Sequence, residues 1–486
     1  MSMQVIVCGS SEIGSRHATR SVRKLLEKNP SAALLLPTGG TPVRMYELLC
    51  AAVVGKQITF SQARTFNLDE YLGVSPEHPQ SYHKFMRDNL FSKIDIKKTN
   101  IHIPYPKPVD PEKHCTKYEK SVRAAEIDLA ILGIGRNGHI AFNEPGDPLN
   151  STTRIVNLAQ STISANARFF DDQEEVPRRA VTVGLSTIMT AQRIIVLAFG
   201  KDKAEAVQKA IEGPVTSDIP ASILQQHRSV TYVLDCDSAS KLKNTPTSPP
   251  LLGKIRLYSS FNIPSGKKIV FFSPHPDDAA ICAGALLSRL SEKNEVHEII
   301  LTTGHRAVPS AKTRDEAIAI REREVKAESK ILGTHLHLAH CRFYDNRQEL
   351  IEGDLKNIRA LLRRIKPDIA FLPHKYDSHP THINTRKLAL ASLPHGLTLW
   401  SFETPWGLFT HSRVNAAFEF AEDVMETKLK AIRKHKSQLT RTAFDDAARD
   451  IAHFRRITLG EQFFSELGQS SLPTDKYLEL FNISKW

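Results

Sequence analysis

Short apolar runs alternate with helix-like segments along this chain of 486 residues, and the alternation breaks once, at "KNTPTSPPLLGK" (Lys243–Lys254). Before the break, Ala32–Leu36, Arg64–Leu68, Asp128–Leu132, Arg193–Phe199 and Val230–Leu234 read as strands. Val43–Val53, Ser81–Leu90 and Lys201–Ile211 read as helices between them. Near-continuous apolar runs suit strands buried on both faces, so the alternation predicts a parallel α/β architecture. Three prolines among small polar residues mark the break as a connecting segment. The pattern then restarts with "KKIVFFSP", a helix from about Asp278, "VHEIILTTG", a charged helix ending near Leu332, and "PDIAFLP". The chain thus reads as two separate, open, mostly parallel α/β domains, 1–242 and 266–486, joined by 243–265. No repeat relates the halves, so two different folds are expected.

Apolar residues make up 41% and charged residues 24%, which excludes long disorder. No apolar run approaches the ~20 residues that span a bilayer. "MSMQVIVCGSSEIG" lacks both a basic start and a long apolar stretch, so a cytoplasmic location without membrane attachment is expected. The six cysteines are scattered and form no C-x-x-C, which suits reduced thiols better than disulfides or a thiolate zinc site. The net charge is +12, but acids interleave with the Lys and Arg residues, as in "REREVKAESK" (Arg321–Lys330). That stretch reads as a solvated helix face with pairs such as Glu322–Lys326. No compact basic tract with interleaved aromatics is present, so nucleic acid is not an expected partner. A positive field would instead draw in anionic substrates.

Three stretches of the first half carry chemistry. "LLLPTGGTPVRMYELL" (Leu34–Leu49) is a strand, a tight turn and a helix, with Pro42 suited to the first helical turn. Thr38, Gly39, Gly40 and Thr41 would offer N–H groups and hydroxyls to a phosphate at the helix N-terminus. A plain strand-to-helix turn would look the same. "TFNLDEYLG" (Thr65–Gly73) puts Asp69 and Glu70 just past a strand, where open sheets place ligands, or in a solvated turn. "ILGIGRNGHIAFNEPG" (Ile131–Gly146) spells G-x-G-x-x-G at Gly133, Gly135 and Gly138. Pro145 soon breaks any helix, however, and Ser151–Ser161 contains no acid for a ribose, so the dinucleotide reading fails. The stretch offers instead His139, with Asn137 and Glu144 nearby, as a general acid–base group.

"PTGGTP", "NLDEYLG", "HPQSY" and "GIGRNGHIAFNEP" follow one another in the order and approximate spacing of the glucosamine-6-phosphate deaminase family. Residues 1–240 resemble that family. The resemblance implies conversion of glucosamine 6-phosphate and water to fructose 6-phosphate and ammonia, without a cofactor. It implies Asp69 as the base moving a proton between C2 and C1, and His139, held by Glu144, as the ring-opening group. Asn137 stands at a ring-opening position that is Asp in some members and Asn in others. Arg168 in "SANARFF" and Lys203 in "GKDKAEA" match phosphate contacts that complement Thr38–Thr41. An amide can orient His139 but cannot raise its pKa by charge, so an altered pH profile is expected. The allosteric site of some members is incomplete: Arg154 is present, but Val156 replaces a basic residue and serines are missing near Gly146–Pro148. Activation by N-acetylglucosamine 6-phosphate is therefore not expected.

In the second half, "IVFFSPHPDDAAICAGALLSRL" (Ile269–Leu290) is a strand ending in His-Pro-Asp-Asp, then a helix. "PDIAFLPHKYDSHPTHINTRKLAL" (Pro367–Leu390) is a strand leading to Asp377, His379 and His382. Both clusters can face one crevice at strand C-terminal ends. Two His and an Asp suit zinc with a position open for water, although two polar loops with satisfied histidines would read alike. With the "IREREVKAESKILG" helix, these motifs resemble the PIG-L/LmbE type of N-acetylglucosaminyl deacetylase over roughly 266–480. The resemblance implies a Rossmann-like zinc domain with His275, Asp278 and His382 as ligands, Asp277 as general base and His379 stabilising the oxyanion. Two positions depart from the family: Ala279 replaces an acid, and "HPTH" replaces "HPDH". His335 and His337 in "THLHLAH" would share a strand face, and read as a half-exposed strand rather than a metal site.

Together the halves, deaminase/isomerase-like and then deacetylase-like, imply a bifunctional amino-sugar catabolic enzyme. Its partners would be a phosphosugar and an N-acetylated amino sugar, with zinc in the second half. The deacetylase substrate and self-association into a homo-oligomer stay open. One rival is a 6-phosphogluconolactonase, which shares the first fold but needs no C2 base. Another is a non-catalytic phosphosugar sensor with a vestigial deacetylase; no DNA-binding helix-turn-helix precedes residue 30 or follows residue 470.

Overall fold

Strands of two to nine residues build one large sheet in each of two units, Met1–Pro250 and Leu251–Trp486. The computed structural model describes residues 2–158, 177–249, 251–252, 255–346, 350–465 and 476–486. The strands of the first unit are β1 (Ser2–Cys8), β2 (Ala33–Leu36), β3 (Arg64–Asn67), β4 (Asp69–Tyr71), β5 (Ile101–His102), β6 (Leu129–Gly133), β7 (Arg154–Asn157), β8 (Arg179–Thr182), β9 (Ile194–Ala198), β10 (Ser229–Asp235) and β11 (Thr247–Ser248). Eight of them make a sheet in the order β11-β1-β10-β9-β6-β2-β3-β5, with every pair parallel. From β2 the chain proceeds to β3 and β5 on one side, then crosses to β6, β9 and β10 on the other. The β2/β6 boundary is therefore the switch point, where loops diverge and leave a crevice. Because the strands are parallel, the loops after β9, β6, β2 and β3 all leave by the same sheet edge.

A small antiparallel sheet, β4-β8-β7, adjoins that edge and pairs Asp69 with Thr182. Within 243–265 the chain lends strands to both sheets. Thr247–Ser248 pairs with β1, while Leu251–Leu252 (β12) and Ile255–Tyr258 (β13) belong to the second sheet.

The second sheet continues with β14 (Lys268–Ser273), β15 (Glu295–Ile300), β16 (His335–Leu338), β17 (Ile369–Pro373), β18 (Thr398–Phe402), β19 (Ala416–Phe420) and β20 (Tyr477–Lys485). The order is β12-β13-β19-β20-β18-β17-β14-β15-β16, parallel except at β12–β13, β18–β20 and β19–β20. Alternate residues of β14 serve two cores. Ile269 and Phe271 pack with the helices Asp278–Ser291 and Glu422–Ile432, and Val270 and Phe272 with Glu352–Ile365 and Pro380–Ser392. This two-sided burial is why β14 reads as an unbroken apolar run. The order reverses between β14 and β17, so the loops after these two strands flank the second switch point.

The helix Asp278–Ser291 breaks at Ala283 (φ −145°, ψ 18°). The buried Glu479 carboxylate accepts the nearby N–H groups of Ala285 (3.0 Å) and Leu286 (2.9 Å) and pairs with Lys428 Nζ at 2.7 Å. Such a pair is tolerated in a core because its polar atoms are matched to one another. All six cysteines are free thiols, and no helix among the described residues is long and apolar enough to cross a membrane.

Candidate active sites

The first site is assembled from the loops after β2, β3, β6 and β9. Thr38–Thr41 links β2 to the helix Val43–Val54. Gly39 adopts φ +90°, and a Cβ at Gly39 or Gly40 would meet no atom within 4 Å, so this turn is an open cradle. Left-handed backbone at Gly39 costs a glycine little and other residues more.

Asp69 and Glu70 are adjacent and both buried, yet their surroundings differ. Glu70 accepts hydrogen bonds from Ser81 Oγ (2.8 Å) and from the N–H groups of Tyr71 (2.8 Å), Tyr82 (3.0 Å) and His83 (3.0 Å). It therefore fixes the start of the helix Tyr82–Met86. Asp69 Oδ1 has no hydrogen-bond partner among the described residues. Burial, reinforced by the Glu70 charge, pushes the Asp69 carboxyl up to about 8. Of the two carboxylates, only Asp69 is left free to move a proton.

The loop after β6 contains no helix, which accords with rejecting the dinucleotide reading. The Asn137 amide donates to Glu144 Oε2 at 2.7 Å, and its carbonyl accepts the His139 N–H at 3.2 Å. Glu144 Oε2 lies 3.4 Å from His139 Nδ1. Asn137 thus holds both the histidine backbone and the carboxylate beside the ring, through a donor that an ionised aspartate would lack. Gly135 makes room for the ring, since a Cβ there would lie 2.4 Å from His139 Nδ1 and Cε1. The loop is tied to β8, because Phe142 N–H donates to Thr182 Oγ1 at 3.1 Å, and Thr182 is the cross-strand partner of Asp69. Nothing in the sequence singled out Thr182 or the capping role of Glu70.

Lys203 closes the turn Lys201–Lys203 after β9, and burial draws its pKa down. Arg136 Nε bonds Asp202 Oδ2 at 2.8 Å, joining this turn to the His139 loop. Arg168 lies outside the described residues. Arg154 is engaged by Asp147 Oδ2 (2.8 Å) and by Asn143 Oδ1 (2.8 Å).

The second site lies where the loops after β14 and β17 meet. One ring nitrogen from each of His275, His379 and His382 falls within 4.8 Å of the others. Asp278 Oδ2 stands 3.1 Å from His275 Nδ1 and 3.4 Å from His382 Nε2. His382 is fully buried; its Nδ1 bonds Asp377 Oδ2 at 2.8 Å, and its Nε2 has no hydrogen-bond partner among the described residues. A buried imidazole lone pair oriented by a carboxylate on the opposite nitrogen is the usual state of a metal-binding histidine, so the donor set fits zinc. Asp377 also accepts the His379 N–H at 2.8 Å and the Thr404 hydroxyl at 2.5 Å, which orients the whole loop.

Asp277 accepts a 2.8 Å bond from Arg321 NH2, and Arg321 is buried. This corrects the reading of "REREVKAESK" as a solvated face. Glu322 and Lys326 do meet, at 3.5 Å, but Arg321, Glu324 and Glu328 point inward. Glu324 bonds Ser437 Oγ, and Glu328 bonds His435 Nε2, both at 2.7 Å. The signal was present in the sequence: positions 321, 324, 325, 328 and 332 share one helix face that ends in Val and Leu. His335 and His337 sit on the edge strand β16, where His337 Nε2 is 3.0 Å from His297 Nδ1.

A family model described as glucosamine-6-phosphate isomerases/6-phosphogluconolactonase matches residues 12–233, and one described as GlcNAc-PI de-N-acetylase matches residues 270–393. A glucosamine-6-phosphate deaminase of Thermoanaerobacter sp. (strain X514) is 48% identical over 239 residues, which cover 49% of this chain and 94% of that protein. A solved monomeric glucosamine-6-phosphate deaminase is 42% identical, covering 49% of this chain and 99% of its own, with a TM-score of 0.48. The N,N'-diacetylchitobiose deacetylase of Pyrococcus horikoshii is 25% identical, covering 45% and 84%, with a TM-score of 0.36.

Fold and sequence together define a two-domain α/β protein with a sugar-phosphate isomerase-type first unit and a PIG-L-type second unit. Through its first unit the chain belongs to the glucosamine-6-phosphate isomerase/6-phosphogluconolactonase family, on the deaminase side of it.

Proposed function

We propose that this chain is a bifunctional cytoplasmic enzyme of amino-sugar breakdown, with a deaminase site in its first unit and a metal-dependent N-deacetylase site in its second. The observation that carries the first half is Asp69: a buried carboxyl with a raised pKa and an oxygen that has no hydrogen-bond partner among the described residues, on the sheet edge that also bears the His139–Glu144 pair. Thr38–Thr41, Lys203 and Arg168 would hold the 6-phosphate. His139 moves the proton from O1 to the ring oxygen, which opens the sugar. Asp69 then takes the C2 proton and returns it to C1, while O1 gains a proton and the nitrogen gives one up, converting the amino aldehyde to a C2 ketimine. Water adds at C2 and ammonia leaves, giving fructose 6-phosphate.

In the second unit, His275, Asp278 and His382 would hold zinc. Zinc, when bound, supplies a Lewis acid and a water of lowered pKa. Asp277, fixed by Arg321, takes the proton of the attacking water and passes it to the departing amine. His379 donates to the oxygen that gains charge as water adds to the acetamide carbon.

The test supplies the purified chain with glucosamine 6-phosphate and, separately, with 6-phosphogluconolactone. Ammonia with fructose 6-phosphate supports the deaminase. Lactone hydrolysis without ammonia would return the first unit to the lactonase reading. Gly135→Ala is expected to lower the kcat/KM for ammonia release by about 100-fold, because the methyl group occupies the space of the His139 ring. Steady-state kinetics beside a melting curve checks this, since the change should leave the fold intact.

A further inference from the structure

The second site opens into a cavity of about 670 Å³ lined by three arginines, Arg306, Arg321 and Arg441. Arg321 is committed to Asp277 and Glu324. The other two have no carboxylate partner among the described residues. The Arg306 guanidinium lies over the Tyr344 ring, 4.8 Å from its centroid, and that ring meets His275 edge-on at 6.2 Å. Among the described residues the Arg441 side chain bonds the Ala307 carbonyl, at 3.4 Å, which places it against the loop that carries Arg306. The carboxylates of the cavity cannot neutralise this pair, since Asp277 is bound to Arg321 and Asp278 faces His275 and His382. Two cations with no carboxylate partner among the described residues therefore line the same cavity as His275 and His379. A neutral sugar would offer them only uncharged oxygen acceptors. A phosphate monoester would take bidentate, charge-assisted bonds from guanidinium groups held in this way.

Resting on the deacetylase reading above, we infer that the second site acts on a phosphorylated N-acetyl amino sugar, with Arg306 and Arg441 holding the phosphate and the acetamide directed at the histidine cluster. Water cleaves the C–N bond of the acetamide; acetate takes the acyl group and the amine keeps the proton. The product is a phosphorylated amino sugar, the class of compound that the Asp69 site consumes. The two reactions then run in sequence without an intervening kinase.

All three tryptophans (Trp400, Trp406 and Trp486) lie in the second unit, and Trp406 lines the cavity, so their fluorescence reads this unit and not the deaminase. The full chain, zinc-loaded and in phosphate-free buffer, is titrated with N-acetylglucosamine 6-phosphate and with N-acetylglucosamine, and acetate release is followed from both. Fluorescence should change at least ~10-fold more tightly with the phosphorylated sugar. Arg306→Gln and Arg441→Gln should each lower, by about 10-fold or more, the ratio of kcat/KM for the phosphorylated over the neutral sugar. Melting curves of both variants verify folding. Equal affinity for the two sugars, or a ratio unmoved by both variants, would overturn the inference. Acetate from the neutral sugar alone would overturn it while leaving the deacetylase reading intact. Acetate from neither sugar, with arginine-dependent binding of the phosphorylated one retained, would overturn the deacetylase reading and support the phosphate grip.

Discussion

Asp69→Asn is expected to reduce ammonia release from glucosamine 6-phosphate by about 1,000-fold or more and, at the same time, to raise the melting temperature of the first unit. The two effects have one cause. The carboxyl is buried, one oxygen lacks a partner among the described residues, and its pKa is pushed up to about 8 from an ordinary 3.8. Between those values the folded chain holds a proton that the unfolded chain gives up. The stability this group contributes is therefore fully present below about pH 4 and is lost as the pH rises through about 8. Asparagine stays neutral, so the variant escapes that loss. Its advantage should be several degrees near pH 8 and vanish near pH 4, as read by calorimetry. The same titration sets the activity. As the ionised form is the base, wild-type kcat/KM should climb with pH toward a plateau above about 8. A variant that keeps more than a tenth of the wild-type rate would remove Asp69 from the chemistry.

His382→Ala is expected to abolish acetate release and to drop the zinc content from about one ion per chain to near zero, leaving ammonia release from glucosamine 6-phosphate at the wild-type rate. His382 is fully buried, its Nδ1 is tied to Asp377, and its Nε2 faces Asp278. No exposed residue can replace that lone pair. Asp377→Asn should be milder, since it keeps every proposed ligand but weakens the carboxylate that orients His382 and the His379 loop. Metal affinity is expected to fall about 10- to 100-fold. Mass spectrometry of the metal content, beside acetate assays, separates the two variants. Full zinc occupancy in His382→Ala would move the metal elsewhere.

Much of this architecture was legible because both sites follow strands buried on two faces. β2, β6, β14 and β17 are apolar runs, and the polar residues that follow them, like those after β3, fall at a sheet edge by topology alone. The sequence also separated the His139 loop from a nucleotide fingerprint, since Pro145 forbids the helix that such a turn needs. What escaped it depends on partners far away along the chain. Arg321, Glu324 and Glu328 look solvated until Asp277, Ser437 and His435 are placed beside them. Glu479 and Lys428 look like surface charges until the break at Ala283 supplies two backbone donors. Gly135 looks like a turn residue, yet its lack of a side chain leaves space for the His139 ring. Glu70 looks equivalent to Asp69, and only the hydrogen bonds around the helix Tyr82–Met86 assign one carboxylate to structure and the other to chemistry.

The central claim, two successive steps in one chain, is tested most directly by incubating the zinc-loaded protein with N-acetylglucosamine 6-phosphate and following acetate and ammonia together. Acetate should appear at once and ammonia after a lag. A chelator should stop both from the acetylated sugar while leaving ammonia from added glucosamine 6-phosphate untouched. Acetate with no ammonia, even when glucosamine 6-phosphate is supplied directly, or ammonia that precedes acetate, would contradict the account.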